Sequence, residues 1–346
     1  MAVELTVGPF RRKGVLGLAA AIFAILLCPG DIRRGSETPN PHPLRTGVYA
    51  GPGETGVAGA AHFDAVMGVR STEILDFAAD DSWYNVSGPS WLLRPHTGQS
   101  ARLEYSLPMF PNGRGNSLES CANGSYDGHW RTLASNLVAA KLAKTVVRPG
   151  WEFNGTWYRW SAKGKPSAYV GCFRHIVNTM RAVSGGMFSF DWNPNVGPSD
   201  MKAEQAYPGD EFVDFVGVDV YDAAPARHAD GAAAALQLAE AWNSTLTGDY
   251  GLQWWQRFAT AHRKALAFPE WGVTHLTDGQ GPDDPAFIDD MFDFMTGPGS
   301  NVAYEHYFDS GSGQKTHKLT ETATFPKSAA RLRARLREVS VPVEPS

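Results

Sequence analysis

The stretch Thr145-Val-Val-Arg-Pro-Gly-Trp-Glu-Phe-Asn-Gly155 is a short apolar run that ends in a glutamate, Glu152, directly after a tryptophan. A second stretch, Ala265-Leu-Ala-Phe-Pro-Glu-Trp-Gly272, places a tryptophan beside Glu270 in a similar way. Short apolar runs bounded by Gly and Pro are typical of buried β-strands. Both glutamates are therefore predicted at strand ends, with indole rings beside them.

Eight apolar runs of this kind occur along the chain, and amphipathic stretches of helical period separate several of them. The predicted strands are residues 47–50, 73–77, 102–107, 145–148, 188–192, 212–220, 265–269 and 302–308. The predicted helices are residues 129–143, 167–183, 232–242, 253–265, 284–294 and 327–339. Strands that alternate with helices indicate an α/β fold, and eight such strands favour a (β/α)8 TIM barrel over a doubly wound sheet. No Gly-x-Gly-x-x-Gly turn follows a predicted strand, so a dinucleotide-binding fold has little support.

In a barrel of this class the chemistry lies at the C-terminal ends of the strands. Polar and aromatic residues lie in the last part of five predicted strands or directly after them. They are Arg148, Trp151, Glu152 and Asn154 on the fourth; Asp191, Trp192 and Asn193 on the fifth; Asp219, Tyr221 and Asp222 on the sixth; Glu270 and Trp271 on the seventh; and Glu305, His306 and Asp309 on the eighth. These residues are predicted to meet at one rim of the barrel.

The bulk composition indicates a globular protein and argues against one class of partner. Of the 346 residues, 43% are hydrophobic and 19% are charged, which is typical of a folded chain. The net charge of −5 is spread along the sequence without a basic block, so a nucleic-acid partner is not expected. Residues 46–340 are predicted to form the single (β/α)8 domain.

The N-terminus resembles an export signal. Arg11-Arg12-Lys13 precedes an apolar run at residues 14–28, as in the basic and hydrophobic regions of a secretory signal. Residues 1–29 are therefore predicted as a signal peptide or, if uncleaved, a signal anchor, and residues 30–45 as a linker. This predicts a secreted or cell-surface protein, with a membrane tether through the apolar segment as one alternative.

Three cysteines occur, and one of them, Cys28, lies in the leader. For an exported protein the remaining two, Cys121 and Cys172, form either a disulfide or two ordinary buried thiols. No spacing resembles a zinc site, so neither a metal nor a cofactor is expected.

Two carboxyl groups are the usual machinery for cleaving a glycosidic bond. One of them must hold a proton near neutral pH, and an apolar neighbourhood raises the pKa of a carboxyl group. Trp151, Phe153 and Trp157 are expected to provide that neighbourhood for Glu152. The other carboxyl must stay ionised, and Arg148 and Tyr221 are candidate donors to Glu270.

The segment from Arg148 to Trp160 resembles the acid/base segment of glycoside hydrolase family 26, Arg-Pro-x-His-Glu-x-Asn-Gly-x-Trp with a further Trp three residues on. Three more segments resemble motifs of that family and follow in the same order. They are Trp192-Asn-Pro-Asn195, Val216-Gly-Val-Asp-Val-Tyr221 and Phe268-Pro-Glu-Trp-Gly272.

The resemblance implies a retaining double displacement in which Glu152 is the general acid/base and Glu270 the nucleophile. Retention would place the two carboxyl groups ~5–5.5 Å apart. Tyr221 would hydrogen-bond the nucleophile, and Trp157, Trp160 and Trp192 would line the sugar subsites. The remaining candidate substrate-binding residues are Arg148, Trp151, Asn154, Trp271 and His306. Two of them have a structural alternative, because Asn154 could hold its own turn and His306 could be an ordinary buried histidine.

One position departs from the family pattern, because Trp151 stands where the family usually has a histidine. The resemblance implies a polysaccharide substrate, first of all a β-1,4-mannan that is cut internally. The departure leaves three alternatives: another β-glycan such as xylan or mixed-linkage glucan, the cell's own envelope or exopolysaccharide, and a carbohydrate-binding barrel without activity.

Overall fold

A computed structural model describes residues 44–222, 232–276, 283–312, 315–321 and 323–340 of the chain. The leader at residues 1–29 and residues 30–43 of the linker lie outside the described residues. The export signal and the domain boundary therefore stay predictions. No helix within the described ranges is long and apolar enough to cross a membrane.

Eight parallel strands form a closed barrel. They are β1 (Arg45–Tyr49), β2 (Glu73–Phe77), β3 (Arg102–Leu107), β4 (Val146–Pro149), β5 (Ser189–Trp192), β6 (Phe215–Gly217), β7 (Ala265–Gly272) and β8 (Val302–Phe308). Each strand pairs in parallel with the next, and β8 pairs with both β7 and β1, which closes the sheet. The prediction of a (β/α)8 TIM barrel is confirmed.

The predicted strands coincide with the barrel strands, and the main difference is at the sixth. The run 212–220 was predicted as one strand, whereas the structure has β6 and a separate short strand, Val220–Tyr221. Between them Asp219 bridges to Asn195 instead of pairing with β7. Val220–Tyr221 then pairs with the end of β7, which therefore runs on to Gly272.

Helices cover the outside of the barrel. Their bounds are Gly53–Met67, Trp83–Val86, Ser90–Leu93, Leu118–Ala122, Asp127–Ala139, Pro166–Arg181, Ala232–Thr247, Leu252–Ala261, Pro285–Thr296 and Pro326–Val339, with short 3-10 turns at Arg94–His96 and Ala203–Ala206. The helix Pro166–Arg181 shows how they pack, because its apolar stripe, including Phe173 and Ile176, is fully buried.

The interior of the barrel is filled by polar and aromatic side chains rather than by aliphatic layers. At the N-terminal end, Arg45 and Arg102 pair with the buried Glu73. One layer higher, the Tyr304 hydroxyl lies between the carboxyl groups of Glu104 and Asp191. Charged groups in a barrel interior must be paired, and this pairing continues up to the rim described next.

A disulfide links Cys121 on the helix Leu118–Ala122 to Cys172 on the helix Pro166–Arg181, with 4.8 Å between the Cα atoms. Of the two states that the sequence leaves open, a disulfide and two buried thiols, the structure therefore has the disulfide. The bond ties the segment after β3 to the helix after β4.

Candidate active site

Glu270, near the end of β7, receives a hydrogen bond on each carboxylate oxygen. Arg148 Nη2 donates to Oε1 at 2.6 Å, and the Tyr221 hydroxyl donates to Oε2 at 2.8 Å. The residue is only 7% exposed. Charge-assisted bonds to both oxygens fix the orientation of the carboxylate at the mouth of the barrel.

The guanidinium of Arg148 is fully buried and has an acceptor for each of its five N–H groups. Ser106 Oγ accepts from Nε at 2.9 Å and from Nη2 at 2.7 Å. Nη1 donates to Asn193 Oδ1 at 2.9 Å and to the Asp219 carboxylate at 3.2 Å, and the second Nη2 bond goes to Glu270. Burial alone would lower the pKa of Arg148, but the carboxylates of Glu270 and Asp219 raise it, so the group stays charged.

Glu152 is held differently. Its Oε2 accepts a hydrogen bond from Trp157 Nε1 at 2.8 Å, and its Oε1 accepts from Asn195 Nδ2 at 2.5 Å. Burial of the carboxyl group, followed by the negative charge of Glu270, raises the pKa of Glu152 to about 7 against the opposing effect of these two bonds. A carboxyl group with this pKa exchanges a proton near neutral pH, as an acid/base must.

The backbone at Glu152 turns sharply. Gly150 has a φ of +60°, and Glu152 itself has a φ of +50°, which is uncommon for a residue with a side chain. Strained backbone of this kind persists where the surroundings fix it, and it is enriched at functional sites. Here the Glu152 amide donates to the Asn193 carbonyl at 2.7 Å, which holds the turn over β5.

Asn154 holds the turn rather than facing the cleft, which is one of the two roles that the sequence leaves open. Its Nδ2 donates to the Asn195 carbonyl at 2.9 Å, and its Oδ1 accepts from the Asn195 amide at 2.9 Å. Asn154 is buried. It therefore positions Asn195, whose side chain bonds Glu152. The role of Asn195 was missed, although it closes the Trp192–Asn195 motif.

Trp157 is 57% exposed and lies beside Glu152. Its ring packs over Gly155, where a Cβ atom would come within 2.1 Å of the ring. Only glycine allows this approach, so Gly155 sets the position of the indole. The exposed ring face is free to stack on a sugar, and the predicted subsite role of Trp157 stays a prediction.

Three other residues that were predicted to bind substrate are fully buried, and their contact with substrate stays a prediction. Trp192 lies outside the barrel with its Nε1 bonded to the Ala206 carbonyl, and Trp271 lies outside with its Nε1 bonded to Glu305. Successive strand residues point to opposite faces, so the neighbour of an inward carboxylate points outward. His306 points inward but lies below the rim, where burial lowers its pKa to about 3 and keeps it neutral.

Trp160 is also buried, so its predicted role at a sugar subsite stays a prediction, and the more exposed Tyr158 lies against it. Trp160 Nε1 donates to the Trp151 carbonyl at 2.8 Å, and Tyr158 stacks on the Trp160 ring at 4.6 Å. Tyr158 is half-buried, and burial followed by the charges of Glu270 and Glu152 raises the pKa of its hydroxyl. Trp151 is nearly buried as well and packs edge-on to Tyr158.

Part of the rim is aromatic. Tyr49, Phe77 and Phe308 are the last residues of β1, β2 and β8, and all three are half-buried. Ring centroids of Tyr49 lie 4.9 Å from Phe77 and 4.7 Å from Phe308. Sequence analysis missed this cluster, although Phe77 and Phe308 end predicted strands and Tyr49 is the second-last residue of another. The candidate site thus lies between two carboxyl groups and an aromatic wall.

No group of three or more His, Cys, Asp and Glu residues suited to a metal ion occurs among the residues that the structure describes.

The chain is similar to known glycan-degrading proteins. A protein-family model described as glycosyl hydrolase family 26 matches residues 131–246. Endoglucanase H of Acetivibrio thermocellus is 32% identical over 110 residues, which are 29% of this chain and 12% of that protein. Mannan endo-1,4-beta-mannosidase of Bifidobacterium adolescentis is 27% identical over 203 residues, which are 53% of this chain and 18% of that protein. The match thus spans under a fifth of either curated relative.

Solved structures show the same fold over most of the chain. The catalytic domain of the Bacillus sp. JAMB-750 GH26 endo-beta-1,4-mannanase matches with a TM-score of 0.59 and 17% identity over 86% of both chains. Bacillus subtilis mannanase man26 matches with a TM-score of 0.55 and 18% identity over 85% of both chains. A Cellulomonas fimi endo-beta-1,4-mannanase double mutant matches with a TM-score of 0.58 and 19% identity over 85% of this chain and 72% of that one.

At these identities the structural likeness shows the fold alone, while the family model covers the segment from Arg148 to Trp160. The four motifs between Arg148 and Gly272 lie around one rim of the barrel, with Glu152 and Glu270 at that rim. The chain therefore resembles glycosyl hydrolase family 26 over residues 131–246 and has the fold of a solved family 26 structure.

Proposed function

We propose that this chain is a retaining glycoside hydrolase that cleaves a β-linked polysaccharide, with Glu270 as nucleophile and Glu152 as general acid/base. The observation that carries the proposal is the unequal setting of the two carboxyl groups. Arg148 and Tyr221 hold Glu270 by both oxygens, whereas Glu152 has a pKa of about 7. Two carboxyl groups in contrasting environments are the usual basis for dividing nucleophile and acid between them.

In the first step a Glu270 oxygen attacks the anomeric carbon, and the bond to the leaving oxygen breaks. Glu152 gives its proton to that oxygen, so the leaving group departs as an alcohol. In the second step Glu152 takes a proton from water, whose oxygen attacks the anomeric carbon and releases Glu270. The charge of Glu270 raises the pKa of Glu152. When the covalent bond removes that charge, the pKa of Glu152 falls, which favours its change from acid to base.

The substrate that we propose first is a β-1,4-mannan cut internally, because the relative that aligns with 53% of the chain is a mannan endo-1,4-beta-mannosidase. A β-glucan is the second candidate, because Endoglucanase H matches at higher identity over a shorter stretch. Trp151 stands at the family's usual histidine position and is a further reason to test both polymers.

The test is a panel of purified mannans, β-glucans and xylans, with the products separated by chromatography. We expect oligosaccharides from at least one polymer with the wild-type enzyme, and none with Glu270→Ala. Glu152→Ala should lose most activity on the polymer, whose leaving group needs a proton. Glu211→Ala removes an exposed carboxylate just before β6 and serves as the matched control. Binding without products, or alanine variants at the wild-type rate, would show that the proposal is wrong.

We also propose that the protein acts outside the cytoplasm, either secreted or held at the cell surface by its apolar N-terminal segment. The basic and apolar pattern at residues 11–28 supports this location, as does the disulfide between Cys121 and Cys172, since disulfides persist in oxidising compartments. Fractionation of cells that express the full chain tests it. Activity confined to the cytoplasmic fraction would contradict the proposal.

A further inference from the structure

Two aromatic rings lie next to each other beside the guanidinium of Arg148, whose N–H groups are already hydrogen-bonded. Its central carbon lies 5.3 Å from the centroid of the Phe77 ring and 5.6 Å from that of Trp151. Both distances are within the ~6 Å at which a ring face attracts a cation. Hydrogen bonds therefore satisfy the edges of the guanidinium, while two aromatic rings pack near it.

Strand register brings these groups together. Phe77 on β2 is the register partner of Ser106 on β3, and Ser106 is the partner of Arg148 on β4. The three residues thus form one inward row at the same level of the barrel. Trp151 follows Arg148 by three residues, after the turn at Gly150, and its ring lies edge-on to Phe77 with centroids 5.3 Å apart.

Other rings hold the two aromatic residues in place. Tyr49 packs edge-on against Phe77 at 4.9 Å, and Tyr158 and Trp160 pack against Trp151 at 5.0 and 4.6 Å. The indole N–H of Trp151 lies beside Tyr158, and the hydrogen bonds to Glu270 come from Arg148 and Tyr221 instead. Trp151 therefore contacts Arg148 with its ring, and its indole N–H does not donate to Glu270.

We propose that Phe77 and Trp151 are an aromatic pair on one side of Arg148 that positions the nucleophile through its guanidinium. The inference rests on the proposed function, since it assumes that Glu270 attacks the sugar. Glu270 loses its charge as the covalent bond forms. The guanidinium of Arg148 must keep its orientation during this step. The two rings exclude water from their side of the guanidinium and limit its movement, so the bond from Arg148 Nη2 to Glu270 Oε1 is set before the reaction. Phe77 and Trp151 are thus positioning residues.

The test compares leaving groups on the sugar unit that the wild-type enzyme releases from its polymer. A 2,4-dinitrophenyl glycoside needs no proton from Glu152, whereas a phenyl glycoside does. Phe77→Leu and Trp151→Leu each remove one ring face. We expect each leucine variant to lower kcat/KM about tenfold on both glycosides. On the phenyl glycoside the loss should come from kcat, with KM nearly unchanged. Phe77→Tyr and Trp151→Phe keep a ring and should stay within about threefold of wild type.

Phe173→Leu and Trp130→Phe are the controls, because both remove buried aromatic surface on outer helices. They should lower the Tm without changing kcat. If a leucine variant does not fold, the methionine variant at the same position replaces it in the test. Methionine fills more of the space left by the ring and has no π face. Leucine or methionine variants that fold and keep kcat/KM within twofold would overturn this role of the aromatic pair. A loss of activity confined to the phenyl glycoside would overturn it as well. If Glu270→Ala also keeps full activity, the proposed function itself fails.

Discussion

At the scale of single residues, the two glutamates depend on partners that one sequence reveals only in part. Arg148, Tyr221, Glu152 and Glu270 could be assigned because they fall in dense motifs at strand ends. The bond from Asn195 to Glu152 could not, because it depends on how the segment after β5 is placed beside the turn after β4.

The pH dependence of activity tests the setting of Glu152. Glu152 must carry a proton to act as an acid, and its pKa is raised to about 7, so kcat/KM should fall as the pH rises through 7. The bond from Asn195 lowers this pKa, so Asn195→Ala should move the alkaline limb of the profile to higher pH. A pH series of kcat/KM on the phenyl glycoside measures both effects. An alkaline limb that stays in place or moves to lower pH would contradict this assignment.

At the scale of elements, the sequence pattern locates the strands and also indicates which side chains point out of the barrel. The eight apolar runs locate the barrel strands because the buried residues are contiguous. Alternation places Trp192 outside the barrel, since its neighbour Asp191 points inward to Tyr304, and Trp271 outside it, since its neighbour Glu270 points inward to Arg148. This much could have been read from the sequence.

The helix Gly53–Met67 was not predicted, and its packing explains why. A Cβ atom on Gly56 would come within 1.9 Å of the Gly51 carbonyl, and one on Gly59 within 2.7 Å of the Ala50 carbonyl. The helix lies this close to the chain leaving β1 only because its contact face is made of small residues. Such a face produces no strong apolar stripe in the sequence.

The disulfide between Cys121 and Cys172 should contribute to stability more than to catalysis. It closes a loop with a sequence separation of 51 residues, and for a loop of this length chain entropy gives a stabilisation of about 4 kcal/mol. In the double variant Cys121→Ala, Cys172→Ala, we expect the free energy of unfolding measured with urea to be lower by about this amount. Its kcat at 25 °C should stay near the wild-type value. Unchanged unfolding midpoints for the variant and for the reduced wild-type protein would contradict this.

At the scale of the whole molecule, buried acids should make stability depend on pH. Burial raises the pKa of Glu305 to about 8, against the opposing bond from Trp271, and raises that of Glu104 to about 7. Both groups therefore bind protons more tightly in the folded state than in the unfolded chain. The stability they contribute is complete below the unfolded pKa near 4.5 and falls by about 1.4 kcal/mol per pH unit for each group until the folded pKa is reached.

Glu305→Gln removes one of these protons without changing the shape of the side chain. Glu305 lies outside the barrel, where it accepts a bond from Trp271 Nε1 at 2.6 Å. Between pH 5 and 8, the free energy of unfolding of the variant should fall less steeply than that of the wild-type protein. Urea unfolding at a series of pH values measures the slope, and parallel curves for the two proteins would show that Glu305 ionises normally in the folded state.

The stereochemistry of the first product tests the central claim most directly. If Glu270 forms a covalent bond to the sugar and water then displaces it, two inversions leave the configuration unchanged. Proton NMR of the polymer digest, recorded in the first minutes, should show the β-anomer of the new reducing end appearing first, with the α-anomer following by mutarotation. Initial release of the α-anomer would contradict the assignment of Glu270 as nucleophile.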